Sequence, residues 1–557
     1  MKDSYINTEP RDRSFRSIFK WGRKDYFKNP SPEFAQVIAE RLGPGNLPFA
    51  CGNAAENGNA VIKDIVKPCI APEDIQVFEN IVGRENLFYD TYSRVKYSTG
   101  KSAEEILELR HGKIRGICDL VLHPPSKRQI QQIVKFCHEK NIAVHVYGGG
   151  TSVTLGLCCP GGGVTLVMST HMNRVVKFSE QNNTVCVESG MMGPDYENML
   201  NHAPERFNAL RRYTGGHFPQ SFEFSSVGGW VAAMGSGQAS SYYGDARDLV
   251  ISQEYVTPAG SFKTHEFPAS ATGPDMNEIM KGSEGCFGIL TSVTMKIFPF
   301  MPENSRQFSF MFPDFERAAA AARQISQAGA GMPSVMRISD PEETDIAMRM
   351  FGLEGGIMDR FLAWKGLKPE ARCLMIGQTD GEKKFCDNVF RVVRKAGKRH
   401  RGFFLTGLPF RKWAKGKFSD PYMRDSLNDR GIIIDTLEAS VTWENFHRLY
   451  KAVSAHIRKR QATICMTHAS HFYAQGTNLY FIFMIPYQEV DRFRQFQRGI
   501  IKKIAENHGS LSHHHGIGRM MGPFMDQYLG SVQMGAVRAL KNYFDPGNIM
   551  NPGCLGL

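Results

Sequence analysis

The residues best suited to chemistry lie near the C-terminal end of the chain. Ser512 is followed by three consecutive histidines, His513, His514 and His515, and then by Gly516. Histidine moves protons near neutral pH and is the commonest metal ligand. Successive side chains of an extended segment point to opposite sides, which argues against three neighbours chelating one ion. Upstream, Tyr480 stands in the apolar run 478–484 and reads on its own as a core tyrosine; His468 and His471 precede it, three residues apart. Arg337 lies inside the strand-like apolar run 333–340 and reads on its own as half of a structural salt bridge, with Asp340 or another acid. Residues 411–425 mix Lys and Arg with aromatics and end near Arg424. Such a run is usually a solvated basic loop, but a guanidinium can also grip a phosphate bidentately.

A second kind of feature could bind rather than react. Residues 142–146 read as a strand that runs through Tyr147 into Gly148, Gly149 and Gly150, then Thr151 and Ser152. Glycine permits positive φ and close approach of a ligand to the main chain. A turn of free N–H groups makes a nest for an anion such as pyrophosphate, although a glycine cluster alone equally describes a plain loop.

The surrounding pattern positions that turn. Residues 119–122 read as a strand. Ser126 and Gln129 form a capping-box pair, and Ile130, Ile133, Val134 and Cys137 repeat at helical spacing. The order is strand, helix, strand, glycine turn. A dinucleotide-binding Rossmann unit differs, because its glycines follow the first strand and open a helix. Residues 102–110 read as a helix capped by Ser102 with Glu105 as reciprocal partner. Residues 164–190 read as two strands about a polar turn at Asn182 and Asn183. The Gly/Ser-rich passage 214–244 is too long and too apolar for an exposed loop and suggests backbone packed against something flat. Residues 249–257 read as a strand, and a further glycine-rich turn at 281–290 leads into another at 292–298. The Ala-rich stretch 315–328 reads as a helix that begins a second lobe.

Composition bounds the rest. A chain of 557 residues implies more than one lobe. Its 42% apolar and 22% charged content is ordinary for a soluble protein. No apolar run reaches about 18 residues, so no transmembrane helix is expected. The polar N-terminus argues against a signal peptide, and the final residues carry no peroxisomal or retention address. Twelve scattered cysteines without metal spacing indicate a reduced, cytoplasmic chain. The net charge of +12 suits nucleic acid, an anionic membrane or phosphorylated substrates, and no nucleic-acid module is present. Residues 14–27 interleave aromatic and basic side chains, as in a segment lying on a membrane or an arm packed on the protein. Residues 51–65 read as a loop or lobe junction.

Several stretches carry a family resemblance. In order along the chain they are Gly148 to Ser152, Gly228-Gly229-Trp230, Thr272-Gly273-Pro274-Asp275, and Gly282-Ser283-Glu284-Gly285 with Gly288-Ile289. Together they resemble the flavin-binding domain of the vanillyl-alcohol oxidase family, and residues 551–557 resemble the terminus of those flavoproteins. Within that family the chain is similar to the alkyldihydroxyacetonephosphate (alkylglycerone-phosphate) synthases over roughly residues 85–557. The similarity is dense from 117 to 300, thin from 345 to 410 and clear again near 510.

The resemblance implies an α+β protein of two lobes. Residues 1–115 would form a largely helical N-terminal region, 116–300 the FAD-binding domain, 301–510 the cap or substrate domain, and 511–557 a segment returning to the flavin. FAD would be held non-covalently, and no metal is implied. Val146, Tyr147, Gly148, Gly149, Gly150, Thr151 and Ser152 would wrap the pyrophosphate. Gln220, Ser221, Phe222, Glu223, Phe224, Ser225 and Ser226, with Ala233, Met234, Gly235 and Ser236, would line the cofactor's length and ring. Glu284, Gly285, Cys286, Phe287, Gly288, Ile289 and Leu290 would complete its site. Tyr480 would be the acid–base tyrosine, assisted by the triple-histidine motif His513, His514 and His515. Arg424 would hold a substrate phosphate with Arg337 nearby, and residues 411–425 could form a lid. The implied reaction replaces the acyl chain of 1-acyl-dihydroxyacetone phosphate with a long-chain fatty alcohol, without net redox change. A homodimer and peripheral membrane contact are further implications. The alternative on the same fold is a FAD-linked oxidase or dehydrogenase of a hydroxy acid or alcohol, with the arginines clamping a carboxylate.

Overall fold

The computed structural model describes residues 20–23, 26, 28–42, 62 and 65–557. Most of the aromatic–basic segment 14–27 and of the junction 51–65 lies outside the described residues. Among the described residues no helix is long and apolar enough to cross a membrane.

Among the described residues, the first half of the chain builds two main sheets and a two-stranded pair of Tyr213–Thr214 with Phe298–Pro299. The helix Lys127–Lys140 connects the strand Leu120–Leu122 to Val144–Tyr147, and Val164–Val167 inserts between them, parallel to both. Ser126 caps that helix differently from the expected box: its hydroxyl donates to the Gln129 side chain at 2.5 Å, and no backbone N–H reaches it. The box at Ser102 and Glu105 does form, on the helix Ala103–Arg110. The second sheet has the order Val175–Ser179, Thr184–Glu188, Ile289–Lys296, Val250–Thr257, Gly260–Lys263, antiparallel throughout. Val175–Ser179 corrects the reading of 164–190 as two strands. It pairs with Thr184–Glu188 across the Asn182–Asn183 turn, while Val164–Val167 belongs to the other sheet. Lys177 is exposed and the strand is only partly buried, which leaves its alternation weak in the sequence.

The cap is a seven-stranded antiparallel sheet in the order Phe403–Phe404, Arg306–Phe312, Cys373–Thr379, Val335–Ser339, Ile464–Ser470, Gly476–Pro486, Ile432–Thr442. Helices Phe315–Ser326, Lys383–Arg399, Phe446–Arg458 and Val490–Glu506 cover it and bury Phe308, Phe310, Leu479, Phe481 and Phe483 in one core. Residues 411–425, read as a loop, are mostly helical: Leu408–Gly416 and Asp420–Asn428 each carry a proline in the first turn, where the missing N–H costs nothing. The N-terminal helix Pro32–Leu42 packs Phe34, Val37 and Ile38 against Leu427, Ile432 and Ile346 of the cap. At the other end of the chain, Asn551 returns to the first sheet, its N–H donating to the Val144 carbonyl at 2.9 Å.

Candidate active site

A cavity of about 470 Å³ runs from the glycine turn after Val144–Tyr147 to the cap strands carrying Arg337, His468 and Tyr480. That volume is in the range of cofactor and small-ligand sites. Val146, Gly148, Gly149, Gly150, Thr151 and Ser152 form one wall; Gln220, Ser221, Ser225, Ser226, Ala233, Gly235 and Ser236 another; Glu284, Gly285, Gly288 and Leu290 a third. Three chain segments far apart in sequence thus meet around one space.

The contiguous ranges expected from the sequence overreach, because neighbouring side chains in a turn or strand face opposite ways. Tyr147 packs edge-on against Tyr97 instead of lining the cavity, and Phe222 stacks on Phe418. Glu223 and Phe224 also lie off the wall, with Phe224 edge-on to Trp21. Met234 packs over Gly282, Phe287 stacks on Phe544, and Cys286 and Ile289 are buried in the sheet core. Trp21, ahead of the stretch that carries the family resemblance, lines the cavity, and its backbone N–H donates to Asp425 at 2.7 Å.

The turn is shaped by close approach. A methyl on Gly149 would sit 1.9 Å from the Phe224 carbonyl oxygen, and Gly150 has φ +71°. The glycines therefore serve the packing of the turn onto residues 224–226 as well as any ligand. The cavity walls also carry buried polar atoms without a protein partner, the hydroxyls of Ser189 and Ser236. Unpaired buried hydroxyls beside a glycine nest fit a long ligand with phosphate and ring acceptors, which is the chemistry of FAD. Val146 and residues 148–152, 225–226, 235–236 and 285 would hold it.

One end of the cavity is cationic. Arg424 donates one N–H to the Lys101 carbonyl, while its Nε and Nη2 are buried without a partner. Lys101, which no motif marked, lines the same wall; burial first, then the Arg424 charge, pushes its ammonium down to about 8. Asp435 faces them, raised to about 6 by burial. Arg337 also lines the cavity, but it pairs with Glu343, so the salt-bridge reading holds with a different acid from Asp340. Burial raises Glu343, and Arg337 followed by His468 more than offsets this, leaving its carboxyl well below the usual range. Asp340 instead caps the helix Pro341–Met350.

Tyr480 sits at the opposite side on Gly476–Pro486. Its hydroxyl donates to Thr436 at 3.1 Å and lies 3.4 Å from His515 Nε2. Its ring stacks on His468 at 4.9 Å and lies parallel to His514 at 6.0 Å. Burial pushes the phenol up to about 12 and pushes His514 and His515 down, so the phenol is protonated and both imidazoles are neutral at pH 7. A neutral imidazole beside a protonated phenol can take that proton as the phenol oxygen receives another. His514 and His515 line the cavity; His513 does not, and its Nε2 meets the Tyr473 hydroxyl at 2.7 Å instead.

Two buried carboxylates fix the histidine loop by its backbone. Glu438, 1% exposed and paired in register with Tyr480, accepts from the N–H of His513 (2.9 Å), His514 (3.1 Å) and His515 (3.2 Å) and from the Ser512 hydroxyl (2.8 Å). Glu284 accepts from Ile517 N–H at 2.6 Å and Gly518 N–H at 2.9 Å. The family resemblance places Glu284 at the cofactor; it lines the cavity, but both its oxygens are taken by the loop. Glu438 with His513 and His514 is also the acid–histidine group close enough for a metal among the described residues, their ligand atoms within 4.8 Å. Its carboxylate already takes four donors, and both His513 nitrogens are engaged. Glu438 has a faint signal, one of two acids, with Asp435, in the strand Ile432–Thr442 among mainly apolar and β-branched neighbours.

Glu438→Gln removes the charge and leaves an amide facing those N–H groups. Each N–H left unpaired costs about 1–3 kcal/mol, so kcat is expected to fall at least about tenfold. The Glu438 anion raises the proton affinity of His515 against the effect of burial. Its removal lowers that affinity further, and the acid limb of the kcat/KM profile should move to lower pH. An acid limb that stays in place would mean that the carboxylate does not act on His515.

Comparison with known proteins agrees with this layout. Residues 118–265 match the FAD binding domain family and residues 301–555 match the C-terminal domain of FAD linked oxidases. The chain is 30% identical over 505 residues to alkyldihydroxyacetonephosphate synthase of Dictyostelium discoideum, covering 86% of this chain and 80% of that protein. A solved alkyldihydroxyacetonephosphate synthase superposes with a TM-score of 0.79 at 26% identity, covering 94% of this chain and 92% of the other. A p-cresol methylhydroxylase structure with substrate bound shares the fold at a TM-score of 0.67 and 14% identity, over 89% of this chain and 99% of the other. The α+β architecture is that of the PCMH-type flavoproteins, the cofactor is FAD, and the chain belongs to the alkyldihydroxyacetonephosphate synthase family of FAD-dependent enzymes.

Proposed function

We propose that the protein exchanges the acyl chain of 1-acyl-dihydroxyacetone phosphate for a long-chain fatty alcohol, in ether-lipid synthesis. The observation that carries this reading is Arg424, whose Nε and Nη2 nitrogens lie buried without a partner in the cavity that also holds Tyr480. A buried guanidinium with free donors calls for a dianionic oxygen ligand, and Lys101 stands beside it. Met336, Trp413, Ile434 and Ile482 give the same cavity apolar wall for an alkyl chain. Bound FAD supplies the electrophilic and nucleophilic chemistry of chain exchange with no net redox change. The chain's own residues do the rest. Arg424 holds the phosphate. Tyr480 moves the proton at C1, the carbon that bears the acyl chain, and His515 takes the phenol proton. Arg337, His468 and Glu343 keep the Tyr480 ring in place. Residues 116–300 hold the cofactor and 301–510 the substrate in this reading.

The decisive experiment is anaerobic incubation of the FAD-loaded protein with acyl-dihydroxyacetone phosphate and hexadecanol, read by mass spectrometry. Alkyl-dihydroxyacetone phosphate and free fatty acid are expected without oxygen or an electron acceptor. The flavin should leave with the supernatant on acid precipitation. No ether product, with flavin bleaching by a 2-hydroxy acid, would overturn the reading in favour of an oxidase.

Contact with a lipid surface is part of the same proposal. On the helix Ile357–Trp364 the core side takes Leu362, while Ile357 and Trp364 are 90% and 75% exposed. Lys365 Nζ lies 4.4 Å over the Trp364 ring, and an aromatic–basic stripe of this kind suits a membrane interface. Co-sedimentation with anionic vesicles should fall severalfold in Ile357→Ser/Trp364→Ser. Equal pelleting of variant and wild type would remove this face from the proposal.

A further inference from the structure

His513 is the one member of the histidine run that does not line the cavity, and its bonds lead away from it. His514, on the cavity wall, has Nδ1 3.1 Å from His513 Nδ1. His513 Nε2 lies 2.7 Å from the Tyr473 hydroxyl, which donates to Asp245 Oδ2 at 3.4 Å. Asp245 caps the short helix Ala246–Leu249, next to the exposed Arg247 at the surface. We propose that His514, His513, Tyr473 and Asp245 form a proton path joining the cavity to solvent.

The protons balance along this chain. With a proton on His514 Nδ1 and on His513 Nε2, every link has one donor and one acceptor. A proton taken up at His514 Nε2 releases the Nδ1 proton to His513 Nδ1. His513 gives its Nε2 proton to the Tyr473 oxygen, and the Tyr473 hydroxyl proton passes to the Asp245 carboxylate. Each imidazole ends as its other tautomer, the phenol is unchanged, and the carboxylic acid at the surface exchanges with water. The return runs in reverse. No oxidant or further reactant is needed.

The surroundings suit a conduit better than a resting site for charge. His471 lies 5.1 Å from both His513 and His514, Glu438 takes their N–H groups, and Arg247 faces His513 with Tyr473. Burial, then the neighbouring imidazoles, holds His513 and His514 well below the ordinary histidine range, so neither ring traps the proton. Burial first and Asp248 next raise Asp245, against the pull of Arg247, so this half-buried carboxylate beside the exposed Arg247 and Asp248 can hold a proton briefly. Glu438 cannot take this role, because its oxygens are filled by backbone donors.

The path rests on the proposed reaction only in requiring that a proton be given up in the cavity. Two variants preserve the structure. Tyr473→Phe keeps the ring, and Asp245→Asn keeps an N-cap. In dilute buffer each should lower kcat about tenfold, within the range of a lost proton-transfer group, and rising imidazole should restore it while wild type is indifferent to buffer. Unchanged kcat, or a loss that imidazole does not relieve, overturns the path. A second readout needs no turnover. In holoenzyme with nitrogen-15-labelled histidine, Tyr473→Phe should move the ring-nitrogen resonances of both His513 and His514. A change confined to His513 means the two rings are not linked and also overturns it. If wild type forms no ether product, the proposed reaction fails by itself, and the histidine spectra still decide the path.

Discussion

Tyr480→Phe is expected to lower kcat by roughly 10²–10⁴-fold, the usual contribution of a positioned acid–base group, while leaving flavin content unchanged. The substitution deletes one oxygen. The ring that stacks on His468 and lies parallel to His514 remains, and Phe fills the same space on its strand. The lost contacts are one hydrogen bond to Thr436 and the approach to His515. Because the phenol is pushed up to about 12, it is protonated across the working pH range, and a rate limb near neutrality belongs to another group. The measurements are single-turnover rate and visible absorbance on the same sample. A variant that keeps its flavin and more than about a tenth of wild-type kcat would remove Tyr480 from proton transfer and leave it a packing residue.

Gly149→Ala is expected to cut flavin retention by more than about half, from a roughly tenfold loss of affinity. The added carbon would lie 1.9 Å from the Phe224 carbonyl oxygen, and backbone cannot yield as a side-chain tip can. The turn must separate from residues 224–226, and the walls formed by Thr151 and Ser226 move apart. Overpacking of this kind costs about 1–3 kcal/mol, and here it falls on the site that must close around the cofactor. The purified variant should show less than about half the flavin-to-protein absorbance ratio of wild type, since even 1.4 kcal/mol is about tenfold in affinity. A normal ratio would mean that the turn accommodates the methyl and that its glycines are not required for close packing.

The sequence exposed the parts of this site that repeat locally. The glycine turn at 148–150, the helix at 103–110 with its capping box and the tyrosine on an apolar strand are each decided by neighbours a few residues away. What stayed hidden depends on contacts across hundreds of residues. Glu438 meets the backbone of 513–515, Lys101 meets Arg424, and Trp21 reaches a cavity built mainly by later segments. The basic stretch 411–425 was misjudged for a different reason. Lysines and arginines hide two helices whose buried apolar side rests on Phe410 in the first and on Tyr422, Met423 and Leu427 in the second. The long runs assigned to the cofactor failed at Tyr147, Phe222 and Phe287, where a ring packs into core next to a residue whose backbone faces the cavity.

The way Glu438 and Glu284 grip the loop has a consequence for how such a protein can change over generations. Both carboxylates read N–H groups, which every residue except proline provides. The side chains at 513–515 carry none of that anchorage. A lineage can therefore replace them one at a time and try a different reaction over the same flavin, without first surrendering the loop's shape or the joining of the two lobes. Innovation at these three positions is cheap in structural terms, whereas loss of either carboxylate would be costly whatever chemistry the loop had come to perform.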